Sequence, residues 1–470
     1  MLKLSSLLPL ALPPALQLKR LMRLKHHTVP AKPVLTMFLA ALLTASGSSP
    51  ALAIKASPEP LQGSNVAVAY QLPGSEVVHG VNQEIYFHPA STQKLITALA
   101  ATLFLGEDFT FDTRLQLQRN ALLNPPAEPG AAGADGAASA TSAQTAGSAS
   151  AAKGENLKLK LDPDGTLHSN VTIKFSADPT LTINTYRKLL SNLQKYGVKR
   201  IDGHVLLDIS RVGTPIRAQG WNWSDIPACF TAPASAVILG RNCTFIQLEN
   251  SGPGTIARPK IPAGLPLTVK SDAVAVANRD YGGDCELEVN LYQGNSYHLD
   301  GCIPADNNGK PFPLSLDVAD PVAWGVSWTE KILNGLGISM SGEIRPERTP
   351  ANDSVDLARV KSPALGQLVE YMLMHSNNLY ADAIAKNTAY EYYSLPATYN
   401  RTARALRSIL NQYADINLSH AYIVDGSGLS AHNLLTASEL LEVLTYIKNH
   451  DDKLHLIDKL PVSGKKGTLH

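Results

Sequence analysis

Neither sign of charge dominates this 470-residue chain, and it lacks an apolar run long enough to span a bilayer. It has 41 basic and 40 acidic residues, which give a formal net charge of +1. This balance gives no indication of a nucleic-acid partner or of strong electrostatic steering. The apolar run at 34–45 is shorter than the roughly 20 residues of a membrane helix, so we expect no stable membrane span. The length predicts about two to three domains.

The N-terminal residues have the pattern of an export signal. Basic residues precede the apolar run, and small residues at Ala51 and Ala53 follow it in the arrangement of a cleavage site. We therefore predict a signal peptide over residues 1–53 and an exported mature chain. The alternative is that this segment remains as an uncleaved membrane anchor.

Cysteine is scarce, and all four cysteines fall within one stretch in the middle of the chain. An even number of cysteines in an exported protein indicates disulfides, although four cysteines allow three pairings. We favour the pairs closest in sequence, Cys229 with Cys243 and Cys285 with Cys302. A zinc site is the alternative, but the sequence has no C-x-x-C pair. We predict no metal and no cofactor.

Changes in composition divide the chain into regions. Residues 125–155 are rich in Ala, Gly and Ser and contain no Leu, Ile, Val or aromatic residue, which predicts a disordered loop. This loop belongs to a longer region of short strand-like runs and turns, and helical periodicity dominates after about residue 321. We predict an α/β (α+β) domain formed by 56–115 and 314–470, interrupted by a β-rich insertion over 116–313.

The stretch PASTQK (Pro89–Lys94) places Ser91 three residues before Lys94. On a helix the two side chains share one face, so the lysine amine can reach the serine hydroxyl. The apolar residues that follow predict a buried lysine, whose lowered proton affinity would let it accept the serine proton. A helix-capping serine beside a solvated lysine is the structural alternative.

Two later stretches carry polar groups that suit the wall of a site. Ser376-Asn377-Asn378 interrupts a helical pattern and offers a hydroxyl for proton transfer and an amide for orienting a lysine or a substrate carbonyl. Residues 425–433, DGSGLSAHN, form a loop rich in glycine and in hydrogen-bonding side chains. Taken alone, the first also fits a polar break between helices, and the second fits a plain connector.

Together the three stretches resemble the penicillin-binding proteins and serine β-lactamases, with their S-x-x-K and S-x-N motifs. Within that superfamily the chain is similar to the class C, low-molecular-mass D-alanyl-D-alanine carboxypeptidases/endopeptidases of the penicillin-binding protein 4 type. The resemblance extends from about residue 65 to residue 470 and rests on PASTQK, SADPTL, IDGHV, GWNWSDIPACF, RNC and DGSGLS. It implies a transpeptidase-like α/β domain with a large β-rich insertion.

The resemblance implies a role for each residue of the site. Ser91 would be the acyl-enzyme nucleophile and Lys94 its general base. Ser376 would pass a proton to the leaving amine, and Asn378 would hold Lys94 and the substrate amide. The implied reaction cleaves the bond after a D-alanine in peptidoglycan peptides. β-Lactams would acylate the same serine, and the implied location is the periplasm.

The same resemblance assigns residues of the insertion. Asp225 and Phe230 match family positions that bind the side chain of the cross-linking diamino acid. The carboxylate of Asp225 would bind the ammonium group of that side chain, and the ring of Phe230 would pack against its aliphatic stem. A turn residue after Trp223 is the alternative interpretation of Asp225. The cysteine pairs of the family are those favoured above.

Two departures from the family pattern concern substrate binding. The family usually has an arginine where this chain has Ala431, followed by His432. No K-T-G follows Asn378. Pro461–Leu469, PVSGKKGTL, instead matches a segment that precedes K-T-G in the family, so we expect a C-terminally truncated chain with one wall of the cleft missing.

Three functions therefore compete. The first is a serine-type D-Ala-D-Ala carboxypeptidase/endopeptidase. The second is a catalytically impaired or non-enzymatic envelope protein that binds peptidoglycan, which the missing K-T-G and Ala431 favour. The third is a β-lactamase or esterase on the same scaffold, but the long insertion argues against it.

Overall fold

The computed structural model describes residues 65–72, 74–126, 157–282, 285–307, 309–349 and 353–470. The chain divides into two units, Met1–Ile54 and Lys55–His470, and every described residue belongs to the second. The predicted signal peptide and all but the first two residues of the predicted loop 125–155 lie outside the described residues. Within the described ranges, no helix combines the length and apolar character that a membrane crossing requires.

Helices dominate the C-terminal third of the described chain. The α-helices of the described residues are α1 Gln93–Leu105, α2 Ile183–Lys195, α3 Pro321–Gly335, α4 Leu365–His375, α5 Asn378–Tyr393, α6 Tyr399–Ala414, α7 Ala437–Asn449 and α8 Asp451–Leu454. Threonine side chains at the N-caps of α2, α6 and α7 accept hydrogen bonds from backbone N–H groups of the first turn. These N–H groups lack a partner within the helix, so the caps define where each helix begins.

Short strands lie between and before these helices. They are β1 Val68–Gln71, β2 Val78–Val81, β3 Asp112–Gln118, β4 Thr166–Leu167, β5 Val171–Lys174, β6 Arg200–Ile201, β7 Val205–Asp208, β8 Cys243–Glu249, β9 Arg258–Lys260, β10 Thr268–Ser271, β11 Val274–Val276, β12 Leu287–Tyr292, β13 Ser296–Pro304, β14 Phe312–Asp317, β15 Ser339–Met340, β16 Ile344–Glu347 and β17 Ser354–Lys361. The largest sheet has five strands in the order β16-β7-β5-β3-β17. Strands β16, β7 and β5 run parallel, whereas β3 is antiparallel to both of its neighbours.

Three large apolar cores and one small cluster hold these elements in the described part of the chain. In the helical core, α1, α4, α5 and α6 bury residues such as Leu99, Ile384 and Leu406, which are fully inaccessible. Each such side chain contributes about 2 kcal/mol through the apolar surface it removes from water. In the mixed core, α2 and α3 cover the five-stranded sheet. In the β core, strands between β8 and β14 pack around Tyr297 and Leu299.

The split domain 56–115 and 314–470 with its insertion 116–313 stays a prediction, and the mixed core contains residues from both parts. Helix α3 and strand β17, which we predicted in the second half of the split domain, pack in the mixed core with β3, β5 and β7. The physical reason is that β17 pairs with β3 along its length, from Ser354 opposite Gln118 to Lys361 opposite Asp112. Periodicity identifies each element, but it does not reveal which distant strand completes a sheet.

Candidate active site

Ser91 lies at the entrance to α1, on a tight turn that precedes the helix. Residues Ala90–Thr92 form one turn of 3-10 helix, and α1 follows directly. Ala90 has a φ of 47°, in the left-handed region that few non-glycine residues adopt. Thr92 Oγ1 donates to the carbonyl of Pro89 at 2.6 Å and fixes the turn. Ser91 is consequently exposed, as a nucleophile must be if a substrate is to reach it.

Lys94, one helical turn after Ser91, points into the core behind the serine. The residue is only 1 % exposed. Its Nζ donates to Ser91 Oγ at 3.0 Å, to Asn378 Oδ1 at 2.8 Å and to the carbonyl of Ser427 at 2.7 Å. These contacts use all three donors of a protonated lysine. The contact with Ser91 is the one that the i, i+3 spacing predicts.

Burial sets the proton affinity of Lys94. Removing the ammonium from water lowers its pKa from 10.5 to about 8, and the carboxylates of Asp382 and Asp425 oppose part of this fall. Roughly a tenth of the lysine is therefore the neutral amine at pH 7, far more than for a solvated lysine. The amine can act as a base at physiological pH.

The break between α4 and α5 supplies a second serine. Ser376 follows α4 in the left-handed conformation, with a φ of 50°, and Asn378 begins α5. Ser376 Oγ donates to Ser91 Oγ at 2.8 Å. Asn378 holds Lys94 through Oδ1 and donates through Nδ2 to the carbonyl of Phe230 at 3.0 Å. The predicted polar break therefore contacts the serine, the lysine and the inserted region.

The loop 425–433 is held in place by its first residue. The carboxylate of Asp425, 1 % exposed, accepts hydrogen bonds from two backbone N–H groups of the loop at 2.7 and 2.8 Å. It also accepts from Trp221 Nε1 at 2.9 Å. Fixed in this way, the loop presents the carbonyl of Ser427 to Lys94 and forms one wall of the site.

Sequence reasoning missed two buried charges on α5. Asp382 and Lys386 follow Asn378 at intervals of four residues, so the three side chains share one side of the helix. Both charged residues are at most 2 % exposed. The available signal was a pair of opposite charges inside the apolar stretch ADAIAKNTA. Such a pair usually marks a solvated helix face, so periodicity alone did not single it out.

The inserted region reaches the site through residues 225–230. Phe230 is 51 % exposed, and its carbonyl accepts the hydrogen bond from Asn378. Asp225 is half-buried, and its carboxylate accepts from Asn222 Nδ2 at 3.1 Å. Phe230 thus borders the Ser91 site by direct contact, whereas Asp225 lies five residues earlier on the same stretch.

Both favoured disulfides are present. Cys229 pairs with Cys243 and Cys285 pairs with Cys302, and the described residues contain no free cysteine. The first disulfide ties the segment that carries Phe230 to strand β8. The second lies in the β core, where it joins the chain before β12 to β13.

One group among the described residues has the composition of a metal site, and it lies outside the Ser91 site. Asp272, which directly follows β10, and His298 and Asp300, both on β13, place ligand atoms within 4.8 Å of one another. His298 Nε2 is 2.8 Å from Asp272, and Nδ1 is 3.7 Å from Asp300. His298 and Asp272 satisfy each other by a hydrogen bond, and the cluster contributes no group to the Ser91 site.

The Ser91 site is organised for acyl transfer. An exposed hydroxyl lies between a buried amine at 3.0 Å and a second hydroxyl at 2.8 Å. A neutral Lys94 can accept the Ser91 proton, and Ser376 is placed to pass a proton to a leaving group. A nucleophile in contact with a base of lowered pKa is the recurring arrangement of covalent catalysis.

Comparison with known protein families gives a match over most of the chain. The model of the D-Ala-D-Ala carboxypeptidase 3 (S13) family matches residues 50–124 and 137–470. The chain is 32 % identical over 410 residues to the D-alanyl-D-alanine carboxypeptidase DacB of Haemophilus influenzae. This alignment covers 87 % of the chain and 76 % of DacB.

Solved structures agree with the sequence comparison. The crystal structure of penicillin binding protein 4 from Haemophilus influenzae gives a TM-score of 0.72 at 31 % identity, over 86 % of this chain and 79 % of that one. Its complex with a β-lactam gives a TM-score of 0.69 at 30 % identity, over 87 % and 79 % of the two chains. The predicted fold class and resemblance are confirmed. The chain belongs to the D-Ala-D-Ala carboxypeptidase 3 (S13) family of serine peptidases.

Proposed function

We propose that this chain is a serine-type D-Ala-D-Ala carboxypeptidase/endopeptidase that cleaves peptidoglycan stem peptides or cross-links through an acyl-enzyme on Ser91. The observation that carries the proposal is the position of Ser91 Oγ, 3.0 Å from Lys94 Nζ and 2.8 Å from Ser376 Oγ. A capping serine needs neither a desolvated amine nor a second hydroxyl. Family membership supports the same activity.

The first half of the reaction forms an ester. Ser91 Oγ attacks the carbonyl carbon of the D-alanine before the scissile bond, and neutral Lys94 takes the hydroxyl proton. When the tetrahedral intermediate collapses, the C–N bond breaks and the leaving amine needs a proton. The proton passes from Lys94 through Ser376, which donates to Ser91 in the resting site.

The second half of the reaction restores the serine. Water attacks the ester carbonyl while neutral Lys94 takes one of its protons. The Ser91–carbonyl bond then breaks, and the lysine returns the proton to Ser91 Oγ. The products are a peptide that ends in a D-alanine carboxylate and the free enzyme.

β-Lactams are the expected covalent inhibitors. Their strained amide presents the same kind of carbonyl to Ser91, and ring opening leaves an ester on the serine. The structure of the Haemophilus influenzae protein complexed with a β-lactam supports this part of the proposal.

The inserted region is proposed to read the diamino acid of the substrate. Asp225 offers a half-buried carboxylate to an ammonium group, and Phe230 offers an exposed ring to the aliphatic chain that carries it. The hydrogen bond from Asn378 to the carbonyl of Phe230 supports this role.

The site favours an enzyme over a protein that only binds peptidoglycan. Burying Lys94 costs solvation free energy, and a binding protein gains nothing from a lysine of lowered pKa against an exposed hydroxyl.

The periplasmic location remains a proposal based on the predicted signal peptide. Fractionation of expressing cells tests it, since a cytoplasmic product would contradict export.

Labelling with a fluorescent penicillin tests the proposed function. We expect the folded chain to acquire one penicillin adduct on Ser91 by mass spectrometry, and to release D-alanine from a pentapeptide substrate. Ser91→Ala should abolish both, whereas Ser191→Ala, which removes a hydroxyl from α2, should abolish neither. A folded, unsubstituted chain without adduct and without D-alanine release at saturating ligand would overturn the proposal.

A further inference from the structure

One side of α5 carries three polar side chains behind the nucleophile. Asn378 holds Lys94, and Asp382 and Lys386 continue the same side of the helix away from solvent. Asn378 binds the proposed base directly, whereas the proposed reaction gives Asp382 and Lys386 no role. Buried charges are expensive to keep, so the other two call for a physical reason.

Asp382 fixes the segment of loop that binds Lys94. Its Oδ1 accepts the backbone N–H of Gly426 at 2.7 Å. The carbonyl of the same glycine accepts from Thr97 Oγ1 of α1 at 2.7 Å. The next carbonyl, that of Ser427, accepts from Lys94 Nζ. Asp382 therefore binds the residue directly before Ser427, whose carbonyl accepts from Lys94.

The charges around Asp382 come from three elements. On α5 itself, Lys386 Nζ donates to the carbonyl of Ala234 at 2.8 Å and lies 3.9 Å from the ring centre of Tyr399 on α6. Burial and the Asp425 carboxylate raise the pKa of Asp382 to about 7, while Lys386 and Lys94 oppose that rise. Burial raises the pKa of Tyr399, so its hydroxyl stays neutral.

The buried side chains of Lys94, Asp382, Lys386 and Asp425 therefore act on one another electrostatically. Asp382 and Asp425 both raise the pKa of Lys94 against the effect of burial, and both act on Lys386 in the same sense. Asp425 is committed to the loop, because four donors surround its carboxylate. Asp382 has one donor from the loop, the N–H of Gly426, so hydrogen bonding accounts for its buried charge less well.

We propose that Asp382 is a positioning residue for the Ser91–Lys94 pair, holding the loop that binds the amine and supplying a negative charge that favours its protonated form. Lys386 is the counter-charge that favours the ionised form of Asp382 against the effect of burial. Together they set the pH above which Lys94 becomes a base. This inference deepens the proposed function and rests on it.

Asp382→Asn separates the two roles of the carboxylate. The amide oxygen still accepts from Gly426, but the negative charge is gone. We expect Lys94 to lose its proton more easily, so that the rising limb of acylation rate against pH moves down by about one pH unit. Asp382→Ala also removes the hydrogen bond and should lower the plateau rate as well.

Asp178→Asn is the matched control. Asp178 is another buried carboxylate with a pKa raised by desolvation. It accepts hydrogen bonds from Thr180 rather than from the loop that binds Lys94. We expect it to leave the limb unchanged. If Asp382→Asn does not fold, Lys386→Met serves instead, because loss of the counter-charge should protonate Asp382 and move the limb in the same direction.

A direct titration keeps this inference separate from the proposed function. The ε-carbon signal of Lys94, assigned by its loss in Lys94→Arg, is followed against pH by NMR in the folded chain with ¹³C-lysine. A lower midpoint in Asp382→Asn supports the inference whether or not penicillin reacts. An unchanged midpoint overturns it and leaves the proposed function intact. Absence of any acylation in the unsubstituted chain overturns the proposed function alone.

Discussion

Gly428 packs against the backbone of Ala90, the residue before the nucleophile. A Cβ added at Gly428 would lie 1.7 Å from the carbonyl oxygen of Ala90 and 2.5 Å from its carbonyl carbon. Gly428 also has a φ of +81°, which side-chain-bearing residues rarely adopt. Both obstacles involve backbone, so the turn that carries Ser91 must move if a side chain is added.

Gly428→Ala should therefore damage catalysis more than folding. We expect the acylation rate to fall about 100-fold, because a shift of roughly 1 Å in the nucleophile is enough for such a loss. The strained backbone should also cost about 1–3 kcal/mol of unfolding free energy. Stopped-flow labelling and thermal unfolding measure the two effects.

Gly106→Ala provides the control for backbone strain. Gly106 ends α1 with a φ of +79°, and nothing lies within 4 Å of an added Cβ. It should lose stability but retain the rate of acylation. If both variants react alike, the contact between Gly428 and Ala90 does not position the nucleophile.

The rate of acylation should depend on the protonation of Lys94. The neutral amine is the reactive form, so the rate should rise about tenfold per pH unit at low pH and level off above the pKa of about 8. Lys94→Arg should lose nearly all activity, because a guanidinium cannot release its proton in this range. A rate that is flat between about pH 6 and 9 would contradict the assignment of Lys94 as the base.

Ser376 permits a test that separates hydroxyl chemistry from backbone strain. Ser376→Ala should slow D-alanine release by roughly 10²–10⁴-fold, because the leaving amine loses its proton donor. Ser376→Gly also lacks the hydroxyl but accommodates the φ of 50° more easily. The two variants should be equally slow. Recovery of activity in the glycine variant would attribute the loss to strain.

The two disulfides should differ in their effect on activity. Replacing Cys229 and Cys243 by serine should cost about 3 kcal/mol of unfolding free energy, the value for a loop of this length. It should also slow acylation, because Cys229 precedes Phe230, whose carbonyl holds Asn378. Replacing Cys285 and Cys302 should cost a similar amount and leave acylation unchanged. Equal rates in the two variants would show that the first disulfide does not support the site.

Local patterns predicted the site better than they predicted its surroundings. The three-residue spacing of Ser91 and Lys94, with the apolar run behind them, is enough to predict their contact, because one helix fixes the geometry. Ser376-Asn377-Asn378 and the loop 425–433 were predicted to suit the wall of a site, although each alone also fits a structural element. Their convergence on Ser91 depends on contacts between residues more than 280 positions apart.

The missed features are those that tertiary packing creates. Asp382 and Lys386 look like a solvated pair in the sequence, and only the packing of α5 beneath the loop and against α6 removes them from water. The same reason applies to the pairing of strands. Strand β17 joins the sheet of the mixed core through β3, and nothing in its own sequence specifies that partner.

Asp225 gives a prediction about substrate choice rather than chemistry. If its carboxylate binds the ammonium of a diamino acid, Asp225→Asn should lower kcat/KM about tenfold for peptides with a free side-chain amine, the size expected for one hydrogen bond to a charged group. Peptides with an acetylated amine should react equally with both forms, and penicillin should acylate both at the same rate. Asp280→Asn, an exposed carboxylate in the inserted region, is the control for a general loss of negative charge. A uniform decrease for free and acetylated peptides would assign Asp225 to the structure of its turn, where it accepts from Asn222.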